Sequence, residues 1–328
     1  MISRVLVLFL ILLPAFTASG AEPANEESRQ VMGTLALVAA WSKDSTLGVR
    51  AVDAAFEVFD RVDSLMSTWR DDSALAALNR APANTWVEVG DEVAAVLAEA
   101  KAVAVATEGA YDPTVLPLVR LWGFRGGEPA IPQAAELAEA LSLVDHALLD
   151  VDVVRGRARL GREGMEVDLG GIAKGYALDA AARAMREAGV HGGMLDLGGN
   201  VLVFGEGPDE TIGVRDPGAS GLLAALPLVN GSAATSGQYE RYVLVDGRRF
   251  GHVLDPRTGW PVPGGMAVTV LAGDALTADA LATAGLVLGQ GRGLAFLDSI
   301  PGVDALFVTV EAGNDPTLRA TSGLKETP

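Results

Sequence analysis

The sequence contains no cysteine and only three histidines, His146, His191 and His252, among its 328 residues. The first absence excludes disulfides, thiolate nucleophiles, iron–sulfur clusters and cysteine-ligated zinc. The second leaves too few imidazoles for a multi-histidine metal cage. Positive charge is scarce as well: 25 Lys and Arg stand against 42 Asp and Glu, a formal net charge of −17. Neutralising a nucleic-acid backbone requires a basic face, so no nucleic-acid partner is expected, although a local basic pocket remains compatible with this balance. Three familiar motifs are missing. No G-x-G-x-x-G joins a strand to a helix, no G-x-x-x-x-G-K-[ST] occurs, and there is no G-x-S-x-G. A dinucleotide fold, a P-loop and a serine-hydrolase elbow are thereby unsupported. The nearest run, Gly289-Gln290-Gly291-Arg292-Gly293, follows a helical pattern and reads as a helix stop.

One long apolar run stands at the start. Arg4 precedes Val5 to Phe16, which Pro14 interrupts, and the small residues Ala18-Ser19-Gly20-Ala21 follow. This is the pattern of a secretory signal over residues 1–21, too short for a comfortable membrane span, with an uncleaved N-terminal anchor as the alternative. Removal of the signal would take one positive charge with it. The expectation is an exported, periplasmic and soluble protein, without a cysteine to carry a lipid anchor. No later stretch reads as long and uninterrupted enough to cross a bilayer.

Residues 22–31 read as a polar linker, 32–312 as one domain and 313–328 as a polar tail. Met32 to Trp41 is strand-like. From Val49 to Met66 the apolar residues Val52, Ala55, Phe56, Phe59, Val62 and Met66 recur at three- and four-residue steps, which predicts an amphipathic helix. Further helices are expected over Asp91–Thr107, about Ala173–Ala188 and about Thr277–Leu288. Short β-branched runs separated by Gly, Asp and Pro fill the later part: Met194–Phe204, Thr211–Arg215, Tyr242–Val245, Phe250–Leu254, Met266–Leu271 and Ala305–Val310. Helices early and strands late point to an α+β fold. Gly126-Gly127-Glu128-Pro129 reads as a surface loop.

Five strings carry candidate chemistry, each with a plain structural alternative. Asp168-Leu169-Gly170-Gly171-Ile172-Ala173-Lys174-Gly175 lies at a helix start, where paired glycines, free N–H groups and one of four lysines suit a phosphate, or form a glycine turn with a solvated lysine. In Ala110-Tyr111-Asp112-Pro113-Thr114, Asp112 could accept hydrogen bonds from a ligand or shape a turn. Met66-Ser67-Thr68-Trp69-Arg70 ends the first long helix with an indole able to stack on a planar ring or to anchor the surface. His252, three residues before Asp255 in a strand running into a Pro/Gly turn, is placed for a general base with Asp255 as orienter, or for a structural role. Asp279 and Thr283, four apart on a helix, could ligate a hard cation such as Mg²⁺, or be a first-turn acid and a buried threonine.

In order, the strings MGT, MSTWRDDSALAALN, GAYDPTVLPLVRLWGF, VDLGGIAKGYALD, LGGN, ATSGQYERY, HVLDPRTGWPV and TADALATA resemble the FAD:protein FMN transferase family, also called ApbE. The resemblance runs from about Met32 to Leu288. It implies an α+β, T-fold-like arrangement of layered sheet and helices, and an enzyme that cleaves FAD and attaches FMN to a Thr or Ser hydroxyl of an exported redox protein, releasing AMP with Mg²⁺ present. It further implies FAD contacts at Met32, Trp69, Ala110, Tyr111, Asp112, Asp168, Lys174 and Val253. The metal would be held by the Gly171 carbonyl, Asp279 and Thr283. Trp69 stands where the family more often has tyrosine, so stacking is retained and a phenolic hydrogen bond is not. Two further readings use the same residues: an FAD pyrophosphatase that gives free FMN and AMP, and a non-catalytic flavin-binding protein.

Overall fold

Main-chain pairing starts before the first expected strand. The computed structural model describes residues 23–207, 210–217, 221–239, 241–311 and 314–325, so the expected signal segment lies outside the described residues. Strand β1 (Asn25–Val31) occupies most of the segment read as a linker and pairs antiparallel with β2 (Thr34–Trp41). Its polar composition is that of an edge strand, whose ladder bonds need no apolar side chains and whose outer face meets water. Arg29 holds it down, pairing with Asp53 at 2.8 Å and lying 4.3 Å over the Phe56 ring. The turn is Met32-Gly33, both at positive φ, as a two-residue hairpin turn requires.

Helix α1 (Ser45–Met66) begins earlier than its apolar spacing shows, because the Asp44 side chain accepts the Thr46 N–H and caps it. It is followed by α2 (Ala74–Arg80), β3 (Val87–Glu88), α3 (Asp91–Ala106), α4 (Leu116–Leu121), α5 (Ala134–Leu141), β4 (Leu149–Asp152) and β5 (Arg157–Leu160). Next come α6 (Ala173–Glu187) and a hairpin of β6 (Gly192–Leu197) and β7 (Asn200–Gly205). The run expected as one strand is thus two, turned at Gly198-Gly199, both at positive φ. Then follow β8 (Glu210–Arg215), β9 (Leu222–Leu228), β10 (Gly231–Gly237), β11 (Tyr242–Val245), β12 (Arg248–Gly251) and β13 (Met266–Ala272). Helix α7 (Ala275–Asp298), β14 (Asp304–Thr309), β15 (Thr317–Ala320) and α8 (Ser322–Lys325) complete the chain. The segment read as a polar tail therefore contributes an edge strand and a short helix. Thr321 ties it back, donating to Asp304 at 2.8 Å and accepting from Ala305 N at 3.0 Å.

Eight strands form one antiparallel sheet in the order β1-β2-β6-β7-β10-β13-β14-β15. One face is covered by α1, α6 and α7, which bury Phe56, Phe59, Leu178 and Leu286 against it. The other face packs Met194, Val201 and Val308 against Ile212, Val214 and Leu226 of the β8–β9 hairpin. A smaller cluster joins α4 and α5 to the β11–β12 hairpin around Trp122 and Phe250. The architecture is the expected α+β. Helix α7 has the length and apolarity of a membrane span, yet it is a core helix with half of its apolar window buried. Gly289, at φ 75° and ψ 169°, breaks its regular path, and the helix then resumes instead of stopping.

Candidate active site

The site is assembled at the start of α6. Asn79 of α2 clamps Val167 on both sides, donating to its carbonyl at 2.8 Å and accepting its N–H at 2.7 Å. Asp168 N bonds the Pro113 carbonyl at 2.8 Å, which lays the Tyr111–Thr114 string beside the Asp168–Gly175 string. The Asp168 carboxylate is held by Thr68 Oγ1 at 3.1 Å and by Gly170 N at 2.6 Å. No side chain caps α6 at Ile172. In its first turn Ala173 N bonds the Leu169 carbonyl at 2.8 Å and Gly175 N donates to Asp279 Oδ2 at 3.0 Å, so Lys174 N is the first-turn N–H without a partner among the described residues. A Cβ on Gly175 would fall inside the Ala275 carbonyl, so only glycine lets α6 and α7 come this close.

The expected metal ligands are brought together. A Cβ on Gly171 would lie 3.1 Å from Thr283 Oγ1 and 3.2 Å from Tyr111 Cε2, so Gly171, Thr283 and Tyr111 form one wall. Asp279 is only 4% exposed, and among the described residues it has no ion pair. A buried carboxylate without a cationic side chain is expensive unless a cation completes it. No group of three or more His, Asp or Glu side chains gathers among the described residues. Carboxylate, hydroxyl and main-chain carbonyl are therefore the available donors, and an all-oxygen set fits a hard divalent ion. Tyr111 is 4% exposed and its hydroxyl, sealed from solvent, has no hydrogen-bond partner among the described residues. Burial, then the charges of Asp279, Asp168 and Asp112, push the phenol well above its ordinary pKa and keep it a neutral donor.

Asp112 has the turn-shaping role, one of the two its string allows. Its Oδ1 accepts from Thr114 N at 2.9 Å and Oγ1 at 2.6 Å, and its Oδ2 from His146 N at 3.1 Å and Nδ1 at 2.8 Å. The chain's own donors take up both oxygens, so this carboxylate shapes the loop. Ala110 is buried beside it, and Tyr111 N is held by Thr107 Oγ1 at 3.1 Å.

His252 has a different orienter from the one its spacing suggests. Its Nδ1 lies 3.1 Å from the Arg241 carbonyl, and its main-chain N donates to the same oxygen at 3.0 Å. A carbonyl can only accept, so Nδ1 carries the proton and Nε2 keeps its lone pair. Burial, with the charges of Arg241 and Lys174, pushes the imidazole down to about 4 despite the bond to the Arg241 carbonyl. Asp255 instead binds Arg257, through Nε at 2.8 Å, Nη2 at 2.8 Å and the main-chain N at 2.9 Å. This pair shapes the Asp255–Gly259 turn, which the Trp122 indole fastens through the Gly259 carbonyl at 2.8 Å. The neighbouring Val253 is gripped by Gln238, which accepts its N–H at 3.2 Å and donates to its carbonyl at 2.7 Å.

The charge of Lys174 links the two halves of the site, acting on both His252 and Asp196. Asp196, on β6, is pushed up to about 6 by burial, against the opposing effects of the Gly199 N–H and Lys174. Met32 sits at its hairpin tip beside the Gly198-Gly199 turn, where Gly198 N bonds the Leu35 carbonyl at 3.1 Å. Trp69 stands at the rim, 69% exposed. A cavity of about 600 Å³ lined by Tyr176, Arg183, Arg186 and Asn230 lies on the face of α6 turned away from Lys174.

A family model described as the ApbE family matches residues 32–307. The chain belongs to the ApbE family. It is 34% identical to the FAD:protein FMN transferase of Treponema pallidum, an alignment covering 98% of this chain and 94% of that protein. It is 35% identical to one from Klebsiella pneumoniae over 86% of this chain and 88% of that one. Among solved structures, the ApbE protein of Thermotoga maritima superposes with a TM-score of 0.84 at 34% identity, covering 92% and 98% of the two chains. The apo flavinyl transferase ApbE of Pseudomonas stutzeri gives 0.82 at 28% identity, with 94% and 98% covered.

Several residues of this ApbE site escape a reading by motif. Ser236 of β10 places its Oγ 3.4 Å from Thr283 Oγ1. Asn200 of β7 is 2% exposed, with an Nδ2 that has no partner among the described residues. Both belong to the ATSGQYERY and LGGN strings of the resemblance, which is their only signal. Arg241 lies in the same ATSGQYERY string, but the carbonyl by which it orients His252 has no side-chain signal, because every residue carries one.

Proposed function

We propose that this protein cleaves FAD and transfers its FMN half to a Thr or Ser hydroxyl of an exported protein, forming a phosphoester and releasing AMP in an Mg²⁺-dependent reaction. Membership of the ApbE family supports the coarser statement, a transferase acting on flavin. The observation that carries the finer one is Asp279, a buried carboxylate without an ion pair among the described residues, beside Thr283 and Gly171 at the start of α6. The Gly171 carbonyl, Asp279 and Thr283 would hold Mg²⁺, which neutralises pyrophosphate charge and polarises its oxygens when bound. An acidic chain needs such local compensation to admit an anionic substrate.

The chain's own groups account for the remaining chemistry. Lys174 presents its positive charge and its main-chain N–H to the pyrophosphate. His252, held neutral and fixed through Nδ1, accepts the proton of the acceptor hydroxyl at Nε2. The hydroxyl oxygen bonds to the FMN-side phosphorus while the bond from that phosphorus to the bridging oxygen breaks. AMP leaves with the electron pair, and the proton on His252 is free to return to it. The Tyr111 hydroxyl adds a neutral donor to the same wall. Incubation with FAD, Mg²⁺ and an acceptor should give a covalent mass gain equal to FMN on the acceptor. AMP and free FMN without that adduct would favour hydrolysis, and no AMP at all would favour a flavin-binding protein.

A further inference from the structure

The rim of the site carries an arginine that the chemistry above leaves without a task. Arg125 lies in the loop after α4, and its guanidinium carbon is 3.7 Å from the centroid of the Trp69 ring. Its Nε is sealed from solvent and has no hydrogen-bond partner among the described residues. No carboxylate among them pairs with it, although Asp168, Asp71 and Glu166 all act on its charge. Two of these acids have other partners. Glu166 is bound by Arg120 through two bonds, at 2.7 and 3.0 Å, and Asp168 by Thr68 and Gly170. What remains for this cation is the face of the indole.

Trp69 has a matching peculiarity. With the guanidinium on one face it is still 69% exposed, so the opposite face is open. An indole at a surface ordinarily samples several rotamers and must lose that freedom when a ligand stacks on it. The stack on Arg125 removes much of that cost in advance. Position supplies the ligand class: Thr68, the preceding residue, binds Asp168 at the entrance to the Gly170-Gly171 turn. A planar, electron-poor ring attached to a phosphate bound at α6 would meet this open face.

We propose that Arg125 is a positioning residue for the substrate, fixing the Trp69 indole as a preformed platform for the isoalloxazine ring of FAD. The inference rests on the reading of FAD as substrate. It concerns only the flavin half, so ligands that lack the ring separate it from general effects on the site.

The test compares the full-length wild type with Arg125→Met, which keeps the stem and loses the cation, and with Arg125→Lys. Riboflavin and FAD affinities are read from flavin fluorescence, ADP affinity by calorimetry, and steady-state rates with FAD. Arg125→Met should weaken riboflavin and FAD binding alike, about three- to tenfold. KM for FAD should rise by the same factor with kcat unchanged, the bound flavin should be less quenched, and ADP affinity should stay as in the wild type. Arg125→Lys should recover part of the loss. In a Trp69→Ala background the Arg125→Met change should have no further effect on riboflavin. Unchanged riboflavin affinity in Arg125→Met, or an equal loss for ADP, overturns the assignment while FAD turnover by the wild type still stands. A wild type that binds neither FAD nor riboflavin overturns both readings.

Discussion

If His252 is the base, the acid limb of the transfer rate should lie far below that of an ordinary histidine. Its imidazole is pushed from 6.5 down to about 4 by burial, Arg241 and Lys174. At pH 5 such a group is roughly 90% neutral, whereas an unperturbed one is roughly 3% neutral, a difference of about thirtyfold in competent base. Single-turnover FMN transfer at saturating FAD and Mg²⁺ between pH 4 and 8 should therefore be nearly flat down to pH 5. Arg241→Gln keeps the orienting carbonyl and removes a depressing charge, so its acid limb should move to higher pH. Stability follows the same proton. Between the folded value near 4 and the unfolded 6.5 the native state binds fewer protons, so the contribution is fully present above pH 6.5 and is lost as pH falls through 4. The displacement corresponds to about 3 kcal/mol at most, and to about 1–3 for a side chain that is only partly buried. His252→Ala should remove that part of the slope. A wild-type limb centred near pH 6.5, or an unchanged rate and profile in His252→Ala, would refute the assignment.

Four other outcomes are expected. Asp279→Asn should lower Mn²⁺ affinity at least tenfold by electron paramagnetic resonance, yet leave metal-free thermal stability equal or higher, since it removes a buried charge that lacks an ion-pair partner. Gly175→Ala should destabilise by about 3 kcal/mol in chemical denaturation, because the added methyl overlaps the Ala275 carbonyl on a neighbouring helix. Asp255→Ala and Arg257→Ala should each cost about 1–2 kcal/mol in the same assay while leaving the single-turnover rate of folded protein near that of wild type; a rate loss like that of His252→Ala would restore Asp255 as orienter. Asp196→Asn should raise stability at pH 7.5 by up to about 3 kcal/mol, because a carboxyl lifted to about 6 in the fold loses stability as pH rises from its unfolded value through 6. The gain should vanish at pH 3.5.

What the sequence discloses and what it conceals have physical causes. Helices α1 and α6 are legible because one apolar face must repeat at the helical period to cover the sheet. Strand β10 is concealed for the opposite reason. It lies in the middle of the sheet, but Gly231-Ser232-Ala233-Ala234-Thr235-Ser236-Gly237 is built of small residues, since α7 packs closely across it. Strand β1 is masked by its edge position, which tolerates polar residues on the outer face. At the site, the Asp279/Thr283 pair and the Asp168–Gly175 turn are readable as local spacings. Asp112 and Asp255 illustrate the limit of spacing: each is where expected in the chain, but each is held by a partner, His146 or Arg257, that the spacing did not identify. Conversely, the groups that orient His252 and Val253 are a main-chain carbonyl and a glutamine from a separate strand end, joined only by folding.

The most direct test of the account is intact-mass analysis of a Thr- or Ser-bearing acceptor incubated with the protein, FAD and Mg²⁺, with AMP quantified in the same reaction. Transfer predicts one FMN-sized mass gain per AMP released, dependent on Mg²⁺ and abolished by Asp279→Ala. AMP released in step with free FMN, with the acceptor mass unchanged, would contradict it.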